Sequence, residues 1–364
     1  MKPRILIIGC GSIGERHLRC FLRTGRAQLF ACETNAALLQ KVTQQYEVAG
    51  FPDAATALKA ERFDAVVVCT PANTHISIAL QCLRQGAALL IEKPLSTGLE
   101  QVEELLSESN RLNGLNELHR PAGGGKGPSS GTQGWQFVAV AYVYHFQPGL
   151  KAVREFLRKG SLGRPLQAAA IVSQHFPTFR PAYRQIYYTR HETGGGAIQD
   201  MMTHLVNAVE WLVGPSTRVY CEAAHQALEG VTVEDTVCAS ARNGGVLVNY
   251  TVNQFQAPNE ATFLVHCERG SLKVELHEQR WGVWPHGAAG WEYHPAPVTE
   301  RDDLFVAQAN AFLDGMAGAQ TDLSTVEEAA QTLKFNLAAL ESWRTGKAVE
   351  IGGGGRVEGV KSVT

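Results

Sequence analysis

The sequence predicts an α/β protein with two parts: a doubly wound parallel sheet comes first, and an α+β domain with a large, mostly antiparallel open sheet follows. Over the first 120 residues, short apolar segments of strand length alternate with amphipathic helical segments, as in proteins built around a parallel sheet. The first apolar segment ends in three closely spaced glycines. Beyond residue 135, alternating apolar and polar residues separated by turn signals indicate antiparallel strands.

Residues 4–14 predict a buried strand, a tight turn and the start of a helix, because an apolar run ends in the spacing G-x-G-x-x-G. Gly9 tolerates the turn, Gly11 leaves room for a pyrophosphate, and Gly14 lets the helix lie close to the strand. The helix N-terminus adds free N–H groups and a positive dipole end. The segment therefore predicts a dinucleotide site formed by Gly9, Gly11, Ser12, Ile13 and Gly14.

A carboxylate, Glu33, follows the second apolar segment, about 20 residues beyond the glycine turn. A dinucleotide-binding fold places at this point the acid that accepts hydrogen bonds from the adenosine ribose. A solvated glutamate at a strand end is the alternative interpretation. No arginine follows to bind a 2'-phosphate, since the next residues are Thr34 and Asn35. The sequence therefore favours NAD over NADP.

Two further buried strands, predicted at residues 64–70 and 87–92, end in polar segments. Because the carboxyl ends of parallel strands share one edge of the sheet, we expect these segments to lie beside the glycine turn and the ligand. The residues at the two ends are Thr70, Pro71, Asn73, His75, Glu92 and Lys93.

Glycine, serine and proline dominate the middle of the chain, and residues 121–134 are expected to form a mobile surface loop. We therefore predict a nucleotide-binding domain at 1–120, this loop, and a substrate-binding and oligomerisation domain at 135–364. In the second domain, the turns at 243–245 and 269–270 predict hairpins.

A second informative helix is predicted at residues 198–213, where apolar residues recur at helical spacing after three consecutive glycines. Asp200, His204 and Asn207 occupy positions i, i+4 and i+7 on its flank. Their side chains are therefore expected to converge along one line.

The aromatic and basic connection before this helix leads into the predicted site. We expect it to contact the substrate, although aromatic core packing is the alternative. The predicted substrate residues are Tyr183, Arg184 and Tyr187 on the connection, and Asn207 on the helix.

Oxidation of a carbinol by a nicotinamide cofactor requires a base for the hydroxyl proton and a cation for the developing oxyanion. Lys93 is suited to supply the cation, and His204 the base, with Asp200 holding its tautomer or stabilising its charged form. In a coupled set, Lys93 is the alternative titrating group. A solvated Asp200–His204 ion pair and a metal site are competing interpretations, but spacing places no third metal ligand.

Four motifs, at residues 9–14, 70–75, 92–94 and 194–204, resemble the family of glucose-fructose oxidoreductase, inositol dehydrogenase and the MocA oxidoreductases. The resemblance covers nearly the whole chain. It implies a Rossmann domain followed by an α/β domain whose open sheet mediates homo-oligomers, dimers or tetramers. It also implies site residues: Lys93, Asp200 and His204 as the catalytic set, Asn73 and His75 lining the cofactor, and Glu92 supporting the lysine. Asn207 stands where many members have aspartate.

The composition of the 364-residue chain is that of an ordinary globular protein, with 45% hydrophobic and 19% charged residues and a formal charge of −2. No basic excess points to nucleic acid, and the N-terminal apolar run is too short to span a membrane. The eight cysteines form no C-x-x-C pair, so we interpret them as reduced core residues of a cytoplasmic protein without a metal site.

The sequence therefore predicts an NAD-dependent oxidoreductase that transfers a hydride between nicotinamide and a secondary hydroxyl of a sugar, cyclitol or sugar derivative. One alternative is an NAD-dependent glycosidase that uses transient oxidation of a sugar carbon. Another is a non-catalytic regulatory protein that binds NAD or a sugar.

Overall fold

The computed structural model describes residues 2–118, 136–298 and 300–352, and its first part is built on a parallel sheet. The predicted loop at 121–134 lies outside the described residues. The elements of this part are β1 (Arg4–Ile8), α1 (Ser12–Thr24), β2 (Gln28–Cys32), α2 (Ala36–Tyr46), β3 (Ala49–Phe51), α3 (Ala54–Ala60), β4 (Ala65–Val68), α4 (His75–Arg84), β5 (Ala88–Ile91), α5 (Val102–Leu118) and β6 (Val138–Val140).

The strands of this sheet lie in the order β3-β2-β1-β4-β5-β6, and every neighbouring pair among them is parallel. From β1 the chain proceeds to β2 on one side and later returns to β4 on the other, so the sheet is doubly wound as predicted. Side chains of β1 and β4 are buried from both faces, which explains their continuous apolar sequence. The crevice beyond the carboxyl ends of β1 and β4 is the topological switch point, where such folds bind ligands.

The second part contains a nine-stranded sheet with helices on one face. The elements are α6 (Pro148–Lys159), β7 (Pro165–His175), α7 (Phe176–Phe179), α8 (Thr203–Val213), β8 (Arg218–Ala224), β9 (Thr236–Asn243), β10 (Val246–Asn253), β11 (Phe255–Cys267), β12 (Gly270–Glu275), β13 (Arg280–Pro285), β14 (Glu292–Pro295), α9 (Asp303–Met316), β15 (Ser324–Thr325), α10 (Val326–Thr345) and β16 (Val349–Glu350). The strand order of the sheet is β14-β13-β12-β11-β7-β10-β9-β8-β16.

Both predicted hairpins are present in this sheet: β9 pairs with β10 and β11 pairs with β12, antiparallel in each case. Along β9 and β10, buried and more exposed side chains alternate, because helices cover only one face of the sheet. The β7–β10 pair is parallel, whereas the other neighbouring strands are antiparallel. The predicted open, mostly antiparallel sheet is therefore confirmed.

Several elements that follow residue 135 belong to the first sheet and its core, so the predicted boundary between residues 134 and 135 does not separate the two parts. Strand β6 pairs with β5 in the first sheet, and β15 then adds antiparallel to β6. Helix α10 packs Val326 and Leu333 into the first core, and α9 contributes Phe312. The sequence of the three-residue apolar strand β6 is compatible with either sheet. Only its pairing with β5 in the folded chain assigns it to the first sheet.

The eight cysteines are free thiols, seven of them buried, and they pack as small apolar side chains. Burial raises the pKa of Cys10 to about 11, so this thiol stays protonated at neutral pH. Among the helices in the described ranges, none combines the length and the hydropathy needed to cross a bilayer.

Candidate active site

The glycine turn joins β1 to α1 at the switch point, and its geometry explains the three glycines. Gly9 has a φ of 86°, and a Cβ there would lie 2.8 Å from the carbonyl oxygen of Cys69. A Cβ on Gly14 would lie 1.7 Å from the carbonyl oxygen of Gly9. A Cβ on Gly11 would meet no atom within 4 Å, so this part of the turn is open to a ligand. The first turn of α1, which begins at Ser12, directs its free N–H groups outward to that space.

The carboxylate of Glu33 is held against the glycine turn. One of its oxygens accepts from the backbone N–H of Cys10 at 2.8 Å, and the other accepts from the N–H of Asn35 at 2.9 Å. Each carboxylate oxygen retains lone pairs for a further donor. The open turn and the adjacent carboxylate fit a dinucleotide with its phosphates at α1 and its ribose at Glu33.

His75 joins the ends of β4 and β5 and is only 1% exposed. Its ring nitrogens lie 2.8 Å from the carbonyl oxygen of Thr70 and 3.0 Å from that of Pro94. Burial lowers the pKa of His75, whereas the two facing carbonyl oxygens act to raise it. The His75 side chain therefore positions the segments that follow β4 and β5 through their backbone carbonyls. Pro71 and Asn73, in the segment after β4, are exposed.

Lys93 is the residue that connects the two parts of the molecule at the site. Its Nζ donates to a carboxylate oxygen of Asp200 at 2.9 Å and to the backbone carbonyl of Asp200, also at 2.9 Å. Tyr187 donates its hydroxyl to the same carboxylate oxygen at 2.8 Å. Burial acts to raise the pKa of Asp200, but the Lys93 charge and these hydrogen bonds hold it below its ordinary value. The structure thus brings together Lys93, Asp200 and Tyr187, three of the predicted site residues.

Glu92 links Lys93 to helix α1 through a contact that the sequence analysis missed. One carboxylate oxygen of Glu92 lies 2.7 Å from Nε2 of His17, and the other accepts from the backbone N–H of Lys93 at 3.0 Å. His17 and Glu92 are 1% and 5% exposed. The sequence shows that His17 lies on the apolar face of the first helix. Its spacing does not indicate a contact with Glu92, 75 positions later.

A second missed residue, Glu234, sets the start of the segment that carries Asp200. Its carboxylate is fully buried, accepts from the backbone N–H of Ile198 at 2.9 Å and lies 2.6 Å from Nε2 of His191. Gly196 has a φ of 85°, and a Cβ there would lie 2.5 Å from both carboxylate oxygens. Glu234 therefore positions the turn before Asp200.

His204 lies beside the Lys93–Asp200 pair as a neutral ring. Burial and the Lys93 charge lower its pKa to about 3. Its Nδ1 is buried without a hydrogen-bond partner in the described ranges, and its ring packs against Tyr144 with the centroids 5.5 Å apart. The expectation that Asp200 holds the tautomer of His204 is corrected, because the Asp200 carboxylate is hydrogen-bonded to Lys93 and Tyr187 instead.

Asn207 does not share this position, contrary to the prediction. It is 2% exposed, and its amide nitrogen lies within hydrogen-bond reach of the hydroxyls of Ser324 at 3.5 Å and Thr332 at 3.3 Å. The reason is a π-helical turn, Ile198–Met202, that precedes α8. A π turn contains about one residue more than an α turn, so regular i+4 and i+7 spacing no longer describes one face.

Two residues of the aromatic connection also lie apart from the site. Tyr183 is 2% exposed, packs in an aromatic cluster and donates its hydroxyl to the carbonyl oxygen of Glu229. Arg184 is ion-paired with the Glu229 carboxylate at 3.1 Å. Tyr183 therefore shows the alternative, aromatic core packing, whereas Arg184 is exposed and ion-paired.

Within the described ranges, no three His, Cys, Asp or Glu side chains are grouped as metal ligands. An open glycine turn with an adjacent acid, and a lysine–carboxylate pair across the two parts of the chain, define a two-domain dinucleotide-dependent oxidoreductase. Residues 3–115 match the oxidoreductase family with an NAD-binding Rossmann fold, and residues 150–273 match the GFO/IDH/MocA C-terminal domain. The chain belongs to the GFO/IDH/MocA oxidoreductase family.

Individual relatives agree with this assignment. The chain is 26% identical over 328 residues to 1,5-anhydro-D-fructose reductase from Ensifer adhaerens, a match that covers 88% of this chain and 87% of the relative. It is 23% identical to rhizopine catabolism protein MocA from Rhizobium meliloti, over 58% of this chain and 57% of that protein. The fold is similar to that of levoglucosan dehydrogenase in complex with NADH, with a TM-score of 0.82 at 17% identity over 97% of this chain and 100% of that one.

The family match confirms the predicted resemblance, the fold class and the assignment of NAD as the cofactor. It also confirms the predicted class of activity, an oxidoreductase that acts on CH–OH groups. The glycosidase and regulatory alternatives are not favoured.

Proposed function

We propose that the protein catalyses hydride transfer at a secondary hydroxyl of a sugar, cyclitol or sugar derivative bound beside Lys93. The observation that carries this proposal is the hydrogen-bonded set of Lys93, Asp200 and Tyr187 at the carboxyl end of the nucleotide-binding sheet. The similarity to 1,5-anhydro-D-fructose reductase supports a sugar-like substrate. Bound NAD supplies the hydride acceptor for this chemistry.

The cofactor site that we propose lies along the carboxyl ends of the parallel strands. The open space at Gly11 and the position of the Glu33 carboxylate support it. In this proposal His75 and Glu92 act by positioning the backbone around the cofactor, because both are buried. The full set is Gly9, Gly11, Ser12, Ile13, Gly14, Glu33, Thr70, Pro71, Asn73, His75, Glu92 and Lys93.

We assign the chemical roles of these side chains from their charges. Lys93 stabilises the developing alkoxide, and Asp200 and Tyr187 orient its ammonium group toward the substrate. We assign His204 as the acceptor of the hydroxyl proton, because its ring lies beside the Lys93–Asp200 pair and its Nδ1 has no hydrogen-bond partner among the described residues. The His204 ring is coupled to Lys93, because the ammonium charge lowers the proton affinity of the ring.

A panel of sugars and cyclitols incubated with NAD tests the proposal through the absorbance of NADH. We expect at least one polyol or sugar to give NADH, and a Lys93→Met variant to abolish most of that signal. Release of free sugar from a glycoside without net NADH would favour the glycosidase instead. Turnover with NADP and none with NAD would contradict the proposed cofactor site.

We also propose that the protein is a cytoplasmic homo-oligomer, a dimer or tetramer assembled through the uncovered face of the nine-stranded sheet. Two exposed apolar side chains on that sheet, Leu247 at 51% and Tyr220 at 39%, support this assembly. Seven buried free thiols are consistent with a reducing compartment. Light scattering after size-exclusion chromatography should give at least twice the 39.5 kDa chain mass, and Leu247→Glu should lower it. A monomeric wild-type protein would contradict this proposal.

A further inference from the structure

A buried pair of side chains, His17 and Glu92, joins the nucleotide-binding helix to the strand end that carries Lys93. His17 lies on α1, one turn beyond Gly14, and Glu92 directly follows β5. Because β4 lies between β1 and β5, the glycine turn and Glu92 are not at neighbouring strand ends. The 2.7 Å contact between Nε2 of His17 and a carboxylate oxygen of Glu92 spans that gap.

Glu92 accepts hydrogen bonds from both sides as an ionised carboxylate. Burial acts to raise the pKa of Glu92, but the His17 hydrogen bond and the neighbouring charges, that of Lys93 included, hold the pKa below its ordinary value. Because an ionised carboxylate only accepts hydrogen bonds, Nε2 of His17 carries the hydrogen. The other oxygen of Glu92 accepts from the backbone N–H of Lys93 at 3.0 Å. Two directional bonds therefore connect His17 to Lys93.

The His17 ring also packs against the start of α9. Phe305 contacts it edge-on, with the ring centroids 5.5 Å apart and the planes at 75°. Asp302, which directly precedes α9, accepts from Arg19 on α1 at 2.6 Å and 2.9 Å. These contacts fix α1 and the His17 ring relative to α9. His17 is therefore a rigid support for the Glu92 carboxylate.

Lys93 is held at its backbone and at its ammonium group. The backbone anchor leads through Glu92 to α1, where the proposed cofactor site holds the phosphates. The ammonium group is hydrogen-bonded to Asp200 in the second part of the chain, at 2.9 Å. In hydride transfer the reacting atoms must approach to about 3–3.5 Å, and a misplacement of about 1 Å costs on the order of 10²-fold in rate. The position of Lys93 relative to α1 therefore matters for the reaction.

Stability alone does not account for a buried ionic pair at this place. Apolar side chains of similar volume are often as stabilising as a buried ion pair, because two charges lose their hydration on burial. His17 and Glu92 are 1% and 5% exposed, so both have lost that hydration. An apolar pair would fill the space, but it would supply no directional bond to the Lys93 N–H.

We propose that His17 is a positioning residue for the reaction: acting through Glu92, it holds Lys93 at a fixed place relative to the helix that binds the cofactor phosphates. This inference rests on the proposed dehydrogenase function and adds to it a residue that touches neither the substrate nor the reacting atoms.

Two substitutions of His17 separate its hydrogen bond from its packing. His17→Gln keeps an N–H donor near the position of Nε2, whereas His17→Met has no donor. With the sugar or cyclitol that gives NADH, we expect His17→Met to lower kcat roughly 10-fold or more, while KM and the Kd of NADH stay within about twofold. His17→Gln should restore most of the lost kcat. An unchanged kcat in His17→Met, or an equal loss in both variants, would overturn the inference.

Leu18→Val is the matched control, because Leu18 is the next residue of α1 and is also fully buried. It should lower the midpoint of urea denaturation and leave kcat unchanged, since it removes a core methyl group without touching Glu92. A loss of kcat in Leu18→Val as large as that in His17→Met would assign the effect to general disturbance of α1, and would overturn the inference.

A double variant separates positioning from stability. His17→Met leaves the buried Glu92 charge with one partner fewer, so its urea midpoint should fall. His17→Met combined with Glu92→Met replaces both groups by apolar side chains, and the midpoint should recover above that of the single variant. The kcat should stay roughly 10-fold low, because the Lys93 N–H has lost its anchor. Recovery of kcat together with stability would show that the pair only stabilises the fold, and would overturn the inference.

Amide hydrogen exchange at Lys93 tests the same link without catalysis. In the enzyme–NADH complex, we expect the Lys93 N–H to exchange roughly 10-fold or more faster in His17→Met than in the wild type and in Leu18→Val. Equal exchange in the three proteins would overturn the inference. If no sugar or cyclitol gives NADH, the proposed function fails and this measurement still decides the role of His17. NADH formation at the wild-type kcat in His17→Met would overturn the inference and retain the dehydrogenase.

Discussion

Lys93 carries a charge that acts on two residues from the second part of the chain. It is hydrogen-bonded to Asp200, and it lowers the pKa of His204. Its backbone N–H is anchored to Glu92, which in turn contacts His17 on the nucleotide-binding helix. A single substitution at this residue should therefore have two separable consequences, one for the reaction and one for the proton affinity of His204.

The first prediction concerns Lys93→Met, which keeps the length of the side chain and removes its charge. We expect kcat to fall by about 10²-fold or more with little change in NAD affinity, because oxyanion stabilisation is lost while the glycine turn and Glu33 remain. The pKa of His204 should rise from about 3 toward its ordinary value, since a repelling charge has gone. The acid limb of the pH–rate profile should accordingly move to higher pH, and an NMR titration of the His204 ring checks this directly.

The exposed Lys59 provides a control, and Lys59→Met should leave the activity and the titration unchanged. If the acid limb disappears in Lys93→Met and persists in His204→Gln, the roles are reversed and Lys93 is the general base. The dehydrogenase assignment would survive that exchange of roles.

Asn207 provides the second prediction at this scale. Asn207→Ala removes a buried amide and leaves the hydroxyls of Ser324 and Thr332 without it. We expect the free energy of unfolding to fall by about 1–3 kcal/mol while KM stays within twofold, because the side chain is buried against Ser324 on β15 and Thr332 on α10. Urea denaturation and initial rates measure the two quantities, and a large rise in KM with unchanged stability would restore Asn207 as a substrate residue.

Among the elements, the π-helical turn Ile198–Met202 has the greatest effect on the site. It delivers both the carboxylate and the backbone carbonyl of Asp200 to Lys93. The turn begins where Glu234 accepts from the N–H of Ile198, and Gly196 is the residue that lets the chain pass against that carboxylate. The position of Asp200 thus depends on a buried glutamate from another segment.

Gly196→Ala should expose this dependence. The new Cβ would lie 2.5 Å from the Glu234 carboxylate in a backbone conformation with a φ of 85°, so we expect a loss of roughly 1–3 kcal/mol of stability. The shift of Asp200 should lower kcat with NAD affinity retained. Gly346→Ala is the matched control, because Gly346 has a φ of 65° but a Cβ there meets nothing within 4 Å. Equal losses of stability and activity in the two variants would contradict the steric argument.

At the scale of the whole molecule, buried neutral histidines make stability depend on pH. His145 is fully buried, stacks on Trp211 with the centroids 4.3 Å apart, and has a pKa lowered to about 4, chiefly by burial. Burial also lowers the pKa of His75 and of His204. In the unfolded chain these rings bind protons near pH 6.5, so acid favours unfolding before the carboxylates titrate.

The fourth prediction follows from the sign of this linkage. Between pH 6.5 and 4 the unfolded chain holds a proton on His145 that the folded protein lacks, so the free energy of unfolding falls as pH falls. His145 contributes roughly 1.4 kcal/mol per pH unit, or about 2 kcal/mol between pH 6.5 and 5. Urea denaturation should therefore give a shallower pH dependence for His145→Gln than for the wild type. His286→Gln, at an exposed histidine, should keep the wild-type slope, and equal slopes in all three proteins would refute the prediction.

The sequence by itself determined the features that depend on neighbours along the chain. The spacing of Gly9, Gly11 and Gly14 predicts the turn, because a side chain at any of these positions would obstruct the turn, the ligand or the packing of the helix on the strand. The hairpins at 243–245 and 269–270 and the alternation in β9 and β10 follow from local turn chemistry and from one covered face. The motifs that contain Lys93 and the Asp200–His204 pair are also visible in the sequence, and they support the resemblance to the family.

Tertiary structure alone decided which distant groups meet. Asp200 lies 107 residues from Lys93, and sequence spacing paired it with His204 instead. The π turn removed Asn207 from the site, and the contacts His17–Glu92 and Glu234–Ile198 join residues 75 and 36 positions apart. Spacing along a regular helix describes only that helix, whereas hydrogen bonds between segments depend on how the segments pack. For the same reason, the pairing of β6 with β5 could be read only from the folded chain.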